Sequence, residues 1–248
     1  MTPSTGFDPQ AFRDRHVLVV GGTSGIGAAI ANAFIAHGAS ARVTGATPEE
    51  VAAAASEVPQ ATSRSVLDVR DDGAVKACIA AQPRIDVLVN CAGIIRRNQE
   101  LDPKVFADVI DINLNGSLRT CSAARPALAA TQGCIVNIAS MLSFFGSGFT
   151  PGYSASKGGV AQLTKSLAIA FAPDRIRVNA LAPGYIATRF TLALQDDPAR
   201  NTAIIGRTPM GRWGTPQDVA QCALFLASPA AGFVTGVVLP VDGGYLVQ

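Results

Sequence analysis

Histidine is scarce: only His16 and His37 occur in 248 residues, and they fall in separate segments. With so few imidazoles and no Cys-x-x-Cys pair, no metal-ligand cluster can be assembled, and a metal site is not expected. The five cysteines (Cys78, Cys91, Cys121, Cys134, Cys222) are odd in number and scattered. That pattern excludes a disulfide framework and fits a reducing, cytoplasmic compartment. Charge is sparse as well, at 15% against 48% hydrophobic residues, with a net charge of +2 and no basic run longer than two residues. A nucleic-acid partner needs a basic face, so none is expected here. The first residues, "MTPSTGFDPQAFRDR", lack the apolar core of a signal peptide. One stretch, Val219 to Val241, carries no charge over 23 residues, but Gln221, Ser228, Pro229, Gly232, Thr235, Gly236 and Pro240 interrupt it. A helix end, a turn and a buried strand explain it better than a membrane span, so no membrane partner is expected.

Short apolar runs alternate with longer Ala-rich stretches along the whole chain. Strands are expected at 16–21, 40–45, 63–68, 85–90, 134–140, 176–182 and 237–243, and helices near 25–37, 48–56, 71–81, 102–129, 154–172 and 215–227. Several strands are β-branched without strict alternation, as strands covered on both faces are. The alternation predicts one α/β domain over 1–248, a doubly wound seven-stranded parallel sheet with helices on both faces. No linker or repeat divides it. The rhythm breaks only at 183–214, rich in Gly, Pro, Thr and Arg, which reads as a substrate-binding loop or lid. Ligands of open α/β sheets bind beyond the carboxyl ends of the strands, so the turns there carry the chemistry.

The first strand runs into "GGTSGIG", Gly21 to Gly27, and then a helix. Gly21 permits a tight turn, Gly25 lets backbone approach a pyrophosphate, and Gly27 permits close helix–strand packing. Ala28 stands where a Walker loop needs lysine, so a dinucleotide fits better than a nucleoside triphosphate. The second strand ends "VTGATPEE", with neither the acid that binds the adenosine ribose nor an arginine for a 2′-phosphate at Gly45, Ala46 or Thr47. Arg42 lies three residues too early. NAD and NADP both remain open, with a lean to NAD.

"GYSASKGG" places Tyr153 and Lys157 four apart at a helix start, hence on one face, and Ser140 ends the strand "CIVNIAS". A free tyrosine titrates near pH 10, and a neighbouring ammonium favours its phenolate, which makes it a usable acid/base. The serine hydroxyl could hydrogen-bond a carbonyl oxygen that gains charge during hydride attack. In isolation a Tyr and a Lys four apart are an ordinary helix start; with Ser140 and the glycine turn they form a constellation.

That constellation resembles the short-chain dehydrogenase/reductase family, a single-domain Rossmann fold, over nearly the whole chain. The family's glycine motif corresponds to "GGTSGIG", its Asn-Asn-Ala-Gly motif to "NCAG" with Cys91 replacing one Asn, and its tetrad to Asn113, Ser140, Tyr153 and Lys157. "LAPGYIAT" matches its Pro-Gly turn and "VDGG" its C-terminal signature. The resemblance implies that Tyr153 transfers the proton, Ser140 positions the substrate oxygen, and Lys157 binds the nicotinamide ribose and lowers the tyrosine pKa. Asn113 would hold a relay water. The dinucleotide would lie against Gly21, Thr23, Ser24, Gly25, Ile26 and Gly27, with Asp68 and Val69 beside the adenine. Asn90, Ala92 and Gly93 would wall its adenosine side, and Pro183, Gly184, Ile186 and Thr188 would meet the carboxamide end. A homotetramer is implied, with the helices near 102–129 and 154–172 at an interface.

Finer stretches, "AGIIRR", "NIASMLSFFG" and "RTPMGRWGTPQDV", resemble the dehydrogenases of 2-keto-3-deoxy-gluconate and 2-deoxy-gluconate. Their substrates are hydroxylated sugar acids whose carboxylate must be held. Arg96 and Arg97 could grip it bidentately, or else be solvated and paired with local acids such as Glu100 and Asp102. Arg189, Arg207 and Arg212 are further candidates, and Met141, Phe144 and Phe145 could wall the pocket. The expected function is hydride transfer between a nicotinamide and a secondary alcohol or ketone of the gluconate type. The alternatives are a dehydrogenase of a neutral polyol, sugar or hydrophobic alcohol, including a 3-oxoacyl reductase, or a cofactor-binding module without catalysis. A serine hydrolase is excluded, since no Gly-x-Ser-x-Gly and no suitably placed histidine occur.

Overall fold

A computed structural model describes residues 8–248; residues 1–7, part of the stretch read for a signal peptide, lie outside the described residues. Each strand end feeds a helix, and each helix returns the chain to the sheet in parallel. Strands β1 (His16–Val20), β2 (Ser40–Gly45), β3 (Ser63–Val66), β4 (Val87–Asn90), β5 (Cys134–Ile138), β6 (Arg177–Pro183) and β7 (Val238–Val241) form one sheet in the order 3-2-1-4-5-6-7. All ladders are parallel, with Val17 opposite both Ala41 and Val87.

Successive residues of β1 point to opposite cores, which is why its apolar run is continuous. Val17 and Val19 pack with Ile30 and Phe34 of α1 (Gly25–Ala36) and Leu224 of α9 (Pro216–Ala227). Leu18 and Val20 pack on the other face with Leu128 of α5 (Gly116–Thr131) and Phe171 of α6 (Pro151–Phe171). Helices α2 (Pro48–Glu57) and α3 (Asp72–Ala80) complete the half of the sheet built on β1 to β3.

Two elements differ from the sequence reading. The helix expected over 102–129 is α4 (Pro103–Ile110), then a π-helical turn at Asp111–Asn115, then α5. The widened turn carries Asn113, whose side chain is drawn to backbone outside its own helix. The loop expected over 183–214 contains a 3₁₀ turn at Arg189–Thr191 and the helices α7 (Leu192–Gln195) and α8 (Pro198–Arg207). Asp197 caps α8 by accepting from the Ala199 and Arg200 N–H groups, and Pro198 occupies the first helical position, where its missing N–H costs nothing. Among the described residues no helix is long and apolar enough to cross a membrane.

Candidate active site

The strand order reverses between β1 and β4, and a cavity of about 1240 Å³ opens there beyond the carboxyl ends. One end is built by the glycine turn. Gly21 has φ +78°, and a Cβ on it would stand 2.4 Å from the Ala92 nitrogen, so only glycine lets the two switch-point turns meet. At Gly27 a Cβ would strike the Gly21 carbonyl oxygen at 2.2 Å, which is the close helix–strand approach the motif demands. A Cβ on Gly25 would find only the Thr188 side chain, at 3.6 Å, so its backbone lies open to the cavity. The Ser24 side chain does not cap α1, so the first-turn N–H groups and the positive dipole end face the same space. These residues fit a dinucleotide pyrophosphate. Thr23, Ile26, Asp68, Val69, Ala92 and Gly93 line the cavity with them, as do Pro183, Gly184, Ile186 and Thr188.

Ser140, Tyr153 and Lys157 converge on the other side of the switch point. Ser140 caps the 3₁₀ turn Met141–Ser143, its Oγ accepting from the Leu142 N–H at 3.2 Å. Tyr153 lies in the first turn of α6, and its N–H donates to Glu100 Oε2 at 2.7 Å. Lys157 follows one turn later, 4% exposed, and its Nζ donates to the Ile138 carbonyl at 2.7 Å. Nζ lies 5.6 Å from the centre of the Tyr153 ring.

Burial pushes the Tyr153 phenol up to about 12, against the pull of the Ser140 hydroxyl and the more distant Arg97 guanidinium. Burial also pulls Lys157 down to about 8, since an enclosed ammonium loses its hydration. The expected lowering of the tyrosine by Lys157 is therefore not what the protein alone displays; Ser140 and Arg97 supply that pull. Asn113 is fully buried, its amide donating to the Ile94 carbonyl at 2.9 Å and Ser156 Oγ at 3.0 Å while its Oδ1 accepts from the Ile94 N–H at 2.8 Å. It ties the loop after β4 to α6.

Five of the residues read from the sequence lie off the cavity wall: Asn90, Arg96, Asn113, Phe144 and Arg212. Asn90 is buried beneath the wall, bonded to Asn137 at 2.9 Å and Thr120 at 2.7 Å. The two adjacent arginines part company. Arg97 is half-buried on the cavity wall near the Tyr153 and Tyr185 phenols, whereas Arg96 is exposed. Neither side chain pairs with Glu100: that carboxylate, 1% exposed, accepts the Arg96 N–H through Oε1 at 2.7 Å and the Tyr153 N–H through Oε2.

Met141 and Phe145 line the wall, and Phe145 stacks on Tyr245 with centres 6.3 Å apart. Phe190, from the 183–214 segment, lies over Tyr153 at 6.2 Å. Arg207 stands over the Tyr245 ring at 4.3 Å and donates to its hydroxyl at 3.2 Å. Arg189 lines the cavity, is 87% exposed, and reaches Glu57 of α2 at 4.0 Å. Arg212 pairs with Asp218 at 2.8 Å outside the cavity. Sequence reasoning passed over Tyr185, Tyr245, Phe190 and Glu50, which also line it, and treated Glu100 only as a partner for arginine. Their sequence signals are ordinary aromatics and acids; only the fold brings them here.

A family profile described as Enoyl-(Acyl carrier protein) reductase matches residues 20–246. The galactitol 2-dehydrogenase (L-tagatose-forming) of Cereibacter sphaeroides is 42% identical, over 92% of this chain and 94% of that one. The 2-dehydro-3-deoxy-D-gluconate 5-dehydrogenase of Bacillus subtilis is 40% identical, over 96% of this chain and 97% of that one. The crystal structure of a gluconate 5-dehydrogenase from Burkholderia cenocepacia, in complex with NADP and tartrate, superposes with a TM-score of 0.89 at 34% identity, over 96% of this chain and 98% of that one.

Proposed function

Because the chain belongs to the short-chain dehydrogenase/reductase family, we propose that it oxidises a secondary alcohol, or reduces the matching ketone, on a hydroxylated acid of the gluconate type. The observation that carries the reading is the convergence of Ser140, Tyr153 and Lys157 on a cavity whose wall also presents the Arg97 guanidinium. Bound in the cradle of the glycine turn, a nicotinamide dinucleotide supplies the hydride acceptor or donor. The chain supplies the rest. Tyr153 takes the alcohol proton or returns it to the ketone oxygen, and Ser140 holds that oxygen by a hydrogen bond. Lys157 binds the nicotinamide ribose, and Asn113 holds the water that relays the proton outward. Arg97 grips the carboxylate. Asp68 and Val69 flank the adenine, and the segment 183–214 acts as a lid, with Phe190 over the tyrosine.

A second reading has its own support, since the 42% identical relative is named for galactitol, a neutral polyol. Either substrate suits the same proton chemistry. We place the enzyme in the cytoplasm as a homotetramer, with NAD the preferred dinucleotide. The test is a screen of sugar acids, neutral polyols and simple alcohols with both nicotinamides, run on the wild type and Tyr153→Phe. Turnover on a sugar acid, falling by about 10²–10⁴ in Tyr153→Phe while dinucleotide binding persists, is the expected result. Unchanged turnover in that variant would overturn the proton-transfer role.

A further inference from the structure

The missing acid at the end of β2 has a counterpart that the sequence register conceals. Glu50 is five residues past Gly45, in the first turn of α2, and its side chain folds back over the strand end. Glu50 Oε2 accepts the Ala46 N–H at 2.7 Å. A Cβ on Gly45 would stand 3.0 Å from the Glu50 Cβ, 3.1 Å from Oε2 and 2.7 Å from the Thr23 methyl. The bare glycine thus makes room for a carboxylate delivered from the helix. Gly45, Thr23 and Glu50 all line the cavity, beside the turn that cradles the pyrophosphate.

The charges around this point favour one dinucleotide. Glu57 lines the same end, and Arg189 reaches it only at 4.0 Å and is 87% exposed. Arg70 is committed, bonded to Asp68 at 2.7 Å and Asp108 at 3.1 Å. Arg42 donates to Gln82 at 3.0 Å and does not line the cavity. A ribose 2′-hydroxyl would donate to the second oxygen of Glu50, a charge-assisted bond. A 2′-phosphate, with close to two negative charges, would meet the Glu50 and Glu57 carboxylates, and among the described residues at this end only the largely solvated Arg189 guanidinium would be left to offset them.

Building on the dinucleotide reading above, we propose that Glu50 takes the place of the missing strand-end acid, binding the adenosine ribose and selecting NAD(H) over NADP(H). The competing role, a structural cap of the Gly45–Ala46 turn, is kept by Glu50→Gln, whose amide oxygen still accepts the Ala46 N–H but carries no charge.

The experiment is a fluorescence titration of the full-length wild type, Glu50→Gln and Glu50→Ala with NADH and with NADPH, without substrate. Thermal melts verify that each variant is folded. The wild type is expected to bind NADH at least about tenfold more tightly than NADPH, and the ratio to fall by about tenfold or more in both variants as NADPH binding strengthens. Wild-type preference for NADPH, or a ratio unchanged in the variants, would overturn the role of Glu50 alone. Binding of neither dinucleotide to the wild type would overturn the nicotinamide reading and Glu50's role with it. Should Glu50→Gln misfold, the wild-type ratio and Glu50→Ala decide the matter.

Discussion

Burial and charge pull in opposite directions on the two titratable groups of the proposed reaction centre, Tyr153 and Lys157. Lys157 has its ammonium taken below its ordinary value of 10.5 to about 8. The unfolded chain then binds the extra proton between pH 8 and 10.5, so this side chain favours folding increasingly as pH rises through that window and loses the contribution as pH falls to 8. Urea unfolding of wild type and Lys157→Met from pH 7.5 to 10.5 should therefore give a stability difference that shifts toward the wild type as pH rises. A flat difference would show that the ammonium is hydrated rather than enclosed. At the arginine pair the separation of roles is sharper still. Arg97→Ala should lower kcat/KM on a sugar acid by about 10–10², the worth of a charge-assisted hydrogen bond, while Arg96→Ala leaves it within about twofold. On a neutral polyol neither variant should lose much. Equal losses on acid and polyol would place Arg97 in packing rather than carboxylate binding.

Between elements, Glu100 forms a second brace beside that of Asn113. Its two carboxylate oxygens accept N–H groups from the arginine loop and from the first turn of α6, so Arg97 and Tyr153 are held to a common brace. Glu100→Ala leaves two enclosed N–H groups without an acceptor and should cost about 2–4 kcal/mol, read as a fall in unfolding midpoint. Glu100→Gln retains one acceptor oxygen and should cost about half as much. Its kcat should fall more than its affinity for NADH, because the brace touches the reacting end and not the glycine turn. The elements themselves were largely legible: the seven expected strands are the seven observed, and the central strands β1 and β4, covered on both faces, write their burial as unbroken apolar runs, whereas β3 is largely exposed. The π turn at Asp111–Asn115 was not legible, since it comes from Asn113 bonding to Ile94, a partner nineteen residues away. Helix α8 had a signal, Asp197 followed by Pro198, that its Gly- and Thr-rich surroundings obscured. Which of two neighbouring arginines faces inward follows from the loop, where Asn98 adopts φ +65° and its N–H bonds the Phe149 carbonyl. No local pattern encodes that.

At the scale of the whole molecule, the helices proposed for an interface carry uncovered apolar side chains. Phe106 on α4, Leu118 on α5 and Ile169 on α6 are 36%, 42% and 78% exposed. Light scattering should return a mass four times the 25.5 kDa chain, and Ile169→Glu together with Leu118→Glu should reduce it. A monomeric wild type would remove the tetramer from the proposal and leave the chemistry untouched.

Gly45 has an implication for how such an enzyme changes over generations. Any side chain there must displace the Thr23 methyl and crowd Glu50. Arginine is one nucleotide away from every glycine codon, so a single mutation could crowd out the carboxylate and install a cation beside it. A lineage could then move the same sugar chemistry from one cellular electron pool to another without rebuilding its active site.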